Sequence, residues 1–225
     1  MGCPFLFTIV EHTTFVCIYS NICLKEFVMT STKSPILLGN LDPKLKSRIL
    51  FLTDEVDEIS VMKVIENIIE INENDEEEER KFLVSYNVKP ERKPIILEIM
   101  SPGGNVRDGL ALVATIEQSK TPVITRVNGY AYSMALTIFL AGHERHMSRH
   151  ATLMYHQISG GMYGCIKNLE ERLEVMQDLQ RHLEDYTIER TKWKHKDLNK
   201  ILQNKEDHYL KANLALSDGF ITKIV

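Results

Sequence analysis

The chain of 225 residues has one tryptophan, four cysteines, seven prolines and no alanine before Ala111. Each shortage excludes something. Four cysteines are too few for a disulfide scaffold, and three of them (Cys3, Cys17, Cys23) crowd the start while Cys165 stands alone. No Cys-x-x-Cys pair or Cys/His group has zinc-site spacing. The thiols are therefore expected to be reduced, in the cytoplasm or an equivalent reducing compartment. Neither charge dominates: 27 Lys and Arg face 31 Asp and Glu, for a formal net charge of −4. That balance lacks the basic footprint of a nucleic-acid binder. Long apolar runs are missing too. The stretch from Phe5 to Ile22 is interrupted by Glu11, His12, Thr13 and Thr14, whereas a spanning helix needs about 20 mostly apolar residues. A secretory signal would carry Lys or Arg before its apolar run and small residues after it, and neither is present. No nucleic-acid partner and no membrane are expected.

What remains is 44% hydrophobic and 26% charged, enough to bury a core without staples and short enough for one domain. Residues 1–43 read differently from the rest and are expected to be an N-terminal extension to a domain over 44–225. Met-Gly-Cys at the start suggests lipidation, but Leu6 stands where a myristoylation motif wants Ser or Thr. Met29 is a possible alternative start, since every motif below follows it.

From residue 44 onward, strand and helix signals alternate. Ile49–Thr53 is a short apolar run, read as a buried strand. Val56–Ile71 carries apolar residues at 61, 64, 65, 68 and 69, a helical stripe. The block Asn72–Arg80, with five consecutive acids from Asp75 to Glu79, reads as a solvated loop or frayed helix end. Ile95–Ile99 is a strand broken by Ser101-Pro102-Gly103-Gly104, and Val106–Glu117 a helix. Pro122–Val127 is a strand, followed after Asn128–Tyr132 by an apolar helix from Ser133 to about Leu140. Ala151–His156 is a short strand. Leu169, Leu173, Met176, Leu179, Leu183 and Tyr186 mark one stripe of a long amphipathic helix. Short helices at Leu198–Leu202 and Lys211–Leu216 and a last strand over Phe220–Val225 complete the series. Such alternation implies an α/β fold with parallel strands and right-handed crossovers.

Three places at strand ends carry chemistry. Paired glycines at 103 and 104 allow close backbone approach and can leave N–H groups free for an oxyanion, although Pro-Gly-Gly by itself is a tight turn. Ser133 opens a helix directly after a strand, where helix N–H groups and the dipole favour developing negative charge. A plain N-cap would have the same residue there. His156 ends an apolar run just before Ser159-Gly160-Gly161. A nucleophilic serine needs a base, and a histidine base is best oriented by a carboxylate.

In this order and spacing the motifs resemble the ClpP family of self-compartmentalised serine proteases, from about Lys44 to Val225. Ser47–Val56 resembles its first core strand and turn, and Ser101–Gly104 its Ser-Pro-Gly-Gly element. Gly129-x-Ala131-x-Ser133-Met134 is similar to its nucleophile motif. Met154-x-His156-Gln157 with Gly160-Gly161 is similar to its histidine motif. Glu206–Ala212 resembles the segment carrying its aspartate, and Asp218-Gly219-Phe220-Ile221 its closing pattern. The resemblance implies a ClpP/crotonase-like head of mostly parallel strands with crossover helices. A handle helix over Asn168–Lys192 would protrude from it, with a companion strand over Ser159–Cys165. It implies Ser133 as nucleophile, His156 as general base and Asp207 as its orienting carboxylate, with Asp197 and Asp218 as fallbacks. The backbone N–H groups of Gly104 and Met134 would form the oxyanion hole. It further implies hydrolysis of unfolded polypeptides without a metal or cofactor, ATP being used by a partner AAA+ ATPase. Subunits would assemble into two stacked heptameric rings, the Leu169–Leu183 stripe facing the other ring.

Some positions depart from the family pattern. Ile96 and Glu98 stand where aromatic residues commonly help form the ATPase-docking pocket. Asn72–Pro94 is longer and more acidic than usual, and Ile158 replaces a common proline after His156-Gln157. An altered docking to the unfoldase is expected. Two other functions fit parts of the pattern: a non-catalytic ring subunit that modulates a paralogous protease, and a crotonase-fold enzyme acting on an acyl thioester.

Overall fold

A computed structural model describes residues 48–204 and 207–225, within one compact unit running from Ser47 to Val225. The expectations for residues 1–43, for a start at Met29 and for lipidation lie outside the described residues.

The β-branched runs form the strands they suggest. β1 (Ile49–Leu52), β2 (Ile95–Ser101), β3 (Val123–Tyr132), β4 (Glu144–Met147) and β7 (Lys223–Ile224) lie side by side in that order, all parallel. Leu97, Ile99, Val123 and Val127 are fully buried, as expected for strands covered by helices. The class is α/β, with a mostly parallel sheet and crossover helices.

β3 does two jobs. Its first half pairs β4, and its last three residues pair β5 (Thr152–Tyr155). Between them the pairing with β2 slips, from Ile99 opposite Val127 to Ser101 opposite Ala131. The extra residues around Asn128 and Gly129 act as a bulge that re-aims the strand end. β3 thus runs unbroken to Tyr132 and delivers Ser133 directly, where the sequence suggests a strand ending at Val127. β6 (His208–Lys211), a strand not expected from the sequence that ends where a helix was expected to start, pairs β5 antiparallel. β4 is also additional, and the last strand is confined to two residues.

α1 (Glu58–Tyr86) shows the largest departure. Its start is a capping box: Ser60 N–H donates to Asp57 Oδ1 (2.8 Å), and Asp57 N–H donates to Ser60 Oγ (3.1 Å). The acidic block is helix rather than loop, and the helix ends only at left-handed Asn87. The reason is the stripe. Val64, Ile68 and Ile71 face the core, and four residues further Asp75 falls on the same face, 4% exposed. Thr121 Oγ1 donates to Asp75 (2.7 Å), and Arg48 ion-pairs with it. Burial opposes its charge, but the Arg48 and Thr121 hydrogen bonds and the nearby Arg48 and Arg92 charges hold its carboxyl below the usual range. One turn on, Glu79 pairs with Arg92 (2.7 Å), and that hydrogen bond holds its carboxyl down at about 2. Glu76–Glu78 stay exposed, so only part of the block is a solvated face.

α2 (Val106–Gln118) is capped by Asn105, whose side chain accepts from Arg107 N–H (2.8 Å) and Asp108 N–H (3.3 Å). Gly109 lets α2 meet α3 (Met134–Leu140) closely. A Cβ there would lie 2.4 Å from Met134 Cγ. α4 (Ile166–Arg190) has only Tyr186 and Thr187 buried, both in its last turns, and Leu173 is 47% exposed. Among the described residues the first half of its apolar stripe is only partly covered, with Leu169 and Met176 half-buried and Leu173 exposed, as in a protruding handle. The expected companion strand over 159–165 is not formed; that segment has no regular structure. Among the described residues it pairs with no strand. α5 (His195–Asn204) and α6 (Ala212–Ser217) close the chain around β6. No helix among the described residues is long and apolar enough to cross a membrane.

Candidate active site

Ser133 sits between β3 and α3 with φ 54° and ψ −124°, a region that a residue with a Cβ rarely adopts. Its side chain makes no capping bond. The N-cap explanation for this serine therefore fails. Strain of this kind costs on the order of 1–3 kcal/mol and persists where the surroundings over-determine it. Here Ser133 N–H is tied to Met154 O (2.9 Å), and Ser133 O accepts from Leu136 N–H (3.0 Å). The turn presents Oγ outward, and His156 Nε2 lies 2.7 Å from it.

The register of β5 and β6 supplies the third group. Thr152 faces Lys211, Leu153 faces Leu210, Met154 faces Tyr209 and Tyr155 faces His208. One more step of this ladder sets His156 opposite Asp207, and a one-residue slip would turn Asp207 to the other face. His156 Nδ1 and Asp207 Oδ1 are 3.6 Å apart, within ion-pair reach and slightly longer than a hydrogen bond. The fallback carboxylates are engaged elsewhere. Asp218 accepts from Trp193 Nε1–H (2.9 Å), and Asp197 accepts from Lys194 N–H (3.0 Å).

The Ser101–Gly104 turn is held against the β1–α1 connection. Val56 N–H donates to Gly103 O (2.8 Å), and Asn105 N–H donates to Val56 O (2.7 Å). Only glycine fits at 103 and 104. Their φ values are 95° and 151°, and a Cβ at 103 would lie 2.7 Å from Ser133 Cβ, while one at 104 would lie 2.4 Å from Val56 O. Gly104 and Met134 line the same cleft as Ser133 and His156. Neither of their amide N–H groups has a backbone acceptor among the described residues. Two free donors beside a serine–histidine pair are the arrangement that stabilises a tetrahedral oxyanion.

The cleft has a volume of about 320 Å³. Tyr155, Gln180, Thr137, Leu183 and Glu55 also line it, and sequence reasoning missed all five. Tyr155 is two residues from buried Leu153, so alternation along the strand could have placed it on the inner face. Gln180 and Leu183 share a helix face by their three-residue spacing. Gln180 Oε1 accepts from Ile158 N–H (2.9 Å) and so anchors the loop after His156 to α4. Nothing in the sequence marks Glu55. A second hollow of about 500 Å³ lies beside Asp207, between Trp193, Lys200 and Leu214, and touches neither Ser133 nor His156. No group of three potential metal ligands occurs among the described residues.

The α/β head, with its mostly parallel sheet, crossover helices and a serine–histidine pair at the ends of adjoining strands, is consistent with a ClpP-like fold. Residues 40–225 match the Clp protease family model, and the chain belongs to that family. Peptidase activity of the Clp type is thus what the family brings to this fold.

Proposed function

We propose that this chain is a serine endopeptidase subunit that cleaves unfolded polypeptides through Ser133, His156 and Asp207. The observation that carries the reading is the 2.7 Å contact between His156 Nε2 and the strained, uncapped Ser133. Ser133 Oγ attacks the scissile carbonyl carbon while His156 Nε2 takes its proton. The carbonyl oxygen becomes an oxyanion, held by Gly104 N–H and Met134 N–H. His156 returns the proton to the amine, which leaves with the C–N bond. Water then cleaves the acyl-enzyme by the same route in reverse. Asp207 holds the imidazole and stabilises its charged form. The chemistry uses side chains, backbone donors and water; ATP belongs to a partner unfoldase.

Clp protease subunits generally form rings that work with ATPase partners. The only partly covered first half of α4 supports assembly of this chain into stacked rings, with the handle stripe as the seam. Docking of the ATPase is altered. Glu98 is bound up with Arg126 and with Asn128 Nδ2–H (3.0 Å) where the family commonly has an aromatic residue. A polar, self-satisfied network does not offer the buried aromatic anchor on which such contacts usually rest. The reducing compartment inferred from the cysteines fits this role.

A second reading, a ring subunit whose activity depends on a partner, is favoured by one observation. Asp207 is 49% exposed and stands 3.6 Å from His156. Assembly would then be what tightens the relay. Peptide hydrolysis separates the two. The first reading expects cleavage by the purified chain and none by Ser133→Ala at unchanged native mass. Cleavage that survives Ser133→Ala overturns it, and cleavage that begins only on adding a second subunit favours the other.

A further inference from the structure

Asp207 is the least supported member of the relay. Its side chain is half exposed, and only four strand residues follow it before α6 begins. Something must choose which carboxylate oxygen faces the imidazole. Among the described residues, the one side-chain donor to its Oδ2 is Tyr209, whose hydroxyl lies 3.4 Å away. Tyr209 is two residues along β6, so both side chains emerge on one face of the strand. Oδ2 thus faces the phenol in a long hydrogen bond while Oδ1 faces His156 Nδ1.

Tyr209 is itself fixed from the nucleophile's side. Across the sheet, Tyr132 faces Met154 and Met154 faces Tyr209. The Tyr132 and Tyr209 rings meet edge to face with centroids 5.9 Å apart, and Tyr130 continues the row at 4.9 Å from Tyr132. Tyr132 is the residue before Ser133. An aromatic row therefore links the strand that delivers the nucleophile to the strand that delivers the carboxylate. Such edge-to-face contacts carry a definite geometry as well as buried area. Partial burial, then the Asp207 charge and hydrogen bond, hold the Tyr209 phenol above its usual range. It remains a donor at neutral pH.

We propose that Tyr209 is a positioning residue that acts through Asp207, its hydroxyl fixing the carboxylate so that Oδ1 serves His156. The proposal rests on the serine-peptidase reading above. It makes no contact between Tyr209 and the substrate, so the hydroxyl affects the rate of acylation and leaves substrate binding alone.

The test is a double-mutant cycle on the full chain, with the rate of covalent labelling of Ser133 by a fluorophosphonate and kcat and KM on a fluorogenic peptide as readouts. Tyr209→Phe keeps the ring and its contact with Tyr132 and removes only the donor. Labelling and kcat should fall about 3–10-fold, the fold-change of one ordinary hydrogen bond, with KM unchanged. Asp207→Asn should fall on the order of 10²–10⁴-fold. The double variant should equal Asp207→Asn, because a donor with no carboxylate to orient has nothing left to do. Wild-type rates in Tyr209→Phe overturn the proposal. So does a Tyr209→Phe loss that persists in full in the Asp207→Asn background, or one that appears in KM. Wild-type rates in Asp207→Asn overturn the role of Asp207 and the proposal with it. A wild-type chain that neither labels nor cleaves overturns the peptidase reading first.

Discussion

Ser133 and Asp207 stand at opposite ends of the proposed relay and are held in opposite ways. Ser133 is surrounded: α3 behind it is wholly buried, Gly103 presses against its Cβ position, and its own backbone is strained into place. Asp207 is half exposed just before the short strand β6, 3.6 Å from His156, with a phenol hydroxyl 3.4 Å from its other oxygen. The difference teaches where precision resides. The proposed nucleophile is fixed by packing, which resists displacement. The carboxylate proposed to orient the base rests on a strand register and one long hydrogen bond, which respond readily to neighbours.

That contrast can be broken at several depths. The deepest cut is Ser133→Ala, expected to lower kcat on the order of 10⁶-fold without unfolding the chain. Steady-state peptide cleavage with a native-mass control checks it. Gly104→Ala comes next. A Cβ 2.4 Å from Val56 O, at a φ of 151°, must shift the turn that carries the oxyanion donor. A loss in kcat on the order of 10²–10³-fold is expected, the effect of one oxyanion donor. A wild-type kcat would show that the Gly104 amide plays no part. Gly109→Ala probes the packed side from behind. Its methyl group would collide with Met134 Cγ, whose residue supplies the other donor. Overpacking of this kind costs about 1–3 kcal/mol, read from denaturant midpoints, and kcat should fall alongside stability.

The smallest effects on activity lie far from the site. Asp75→Asn leaves Arg48 facing a neutral amide at a buried position and should cost about 1.5–3 kcal/mol with activity at moderate temperature retained. The same network sets an acid limit. Asp75 and Glu79 have folded pKa values below their unfolded ones, Glu79 at about 2. Their contribution is complete above the unfolded carboxylate range near pH 4 and is lost as pH falls toward about 2. Thermal melts from pH 5 to pH 2 should show Tm declining across that window. The Asp75→Asn variant should decline less steeply.

Much of the fold was legible because parallel strands buried on both faces read as continuous apolar runs, as at Ile95–Ile99. The site was legible for a related reason: Ser-Pro-Gly-Gly, Ser133 and His156 all fall where such runs stop. The acidic block misled because charge count hides phase. Asp75 and Glu79 continue the stripe of Ile68 and Ile71, and an arginine for each turns a loop-like sequence into buried helix. β6 was not anticipated because its strand character comes from pairing with β5, a partner some fifty residues away. Residues 159–165 form no strand because strand character needs a pairing neighbour, and they pair with none among the described residues. Tyr209 carried no signal at all: its meaning depends on a register that appears only once β5 and β6 are aligned.

Where a fluorophosphonate lands is the most direct measure of the account. The full chain treated with the probe, digested and analysed by mass spectrometry should carry one phosphonyl adduct, on Ser133, and none after Ser133→Ala. An adduct on another residue, or an unmodified Ser133 in a chain that nonetheless cleaves peptides, would contradict it.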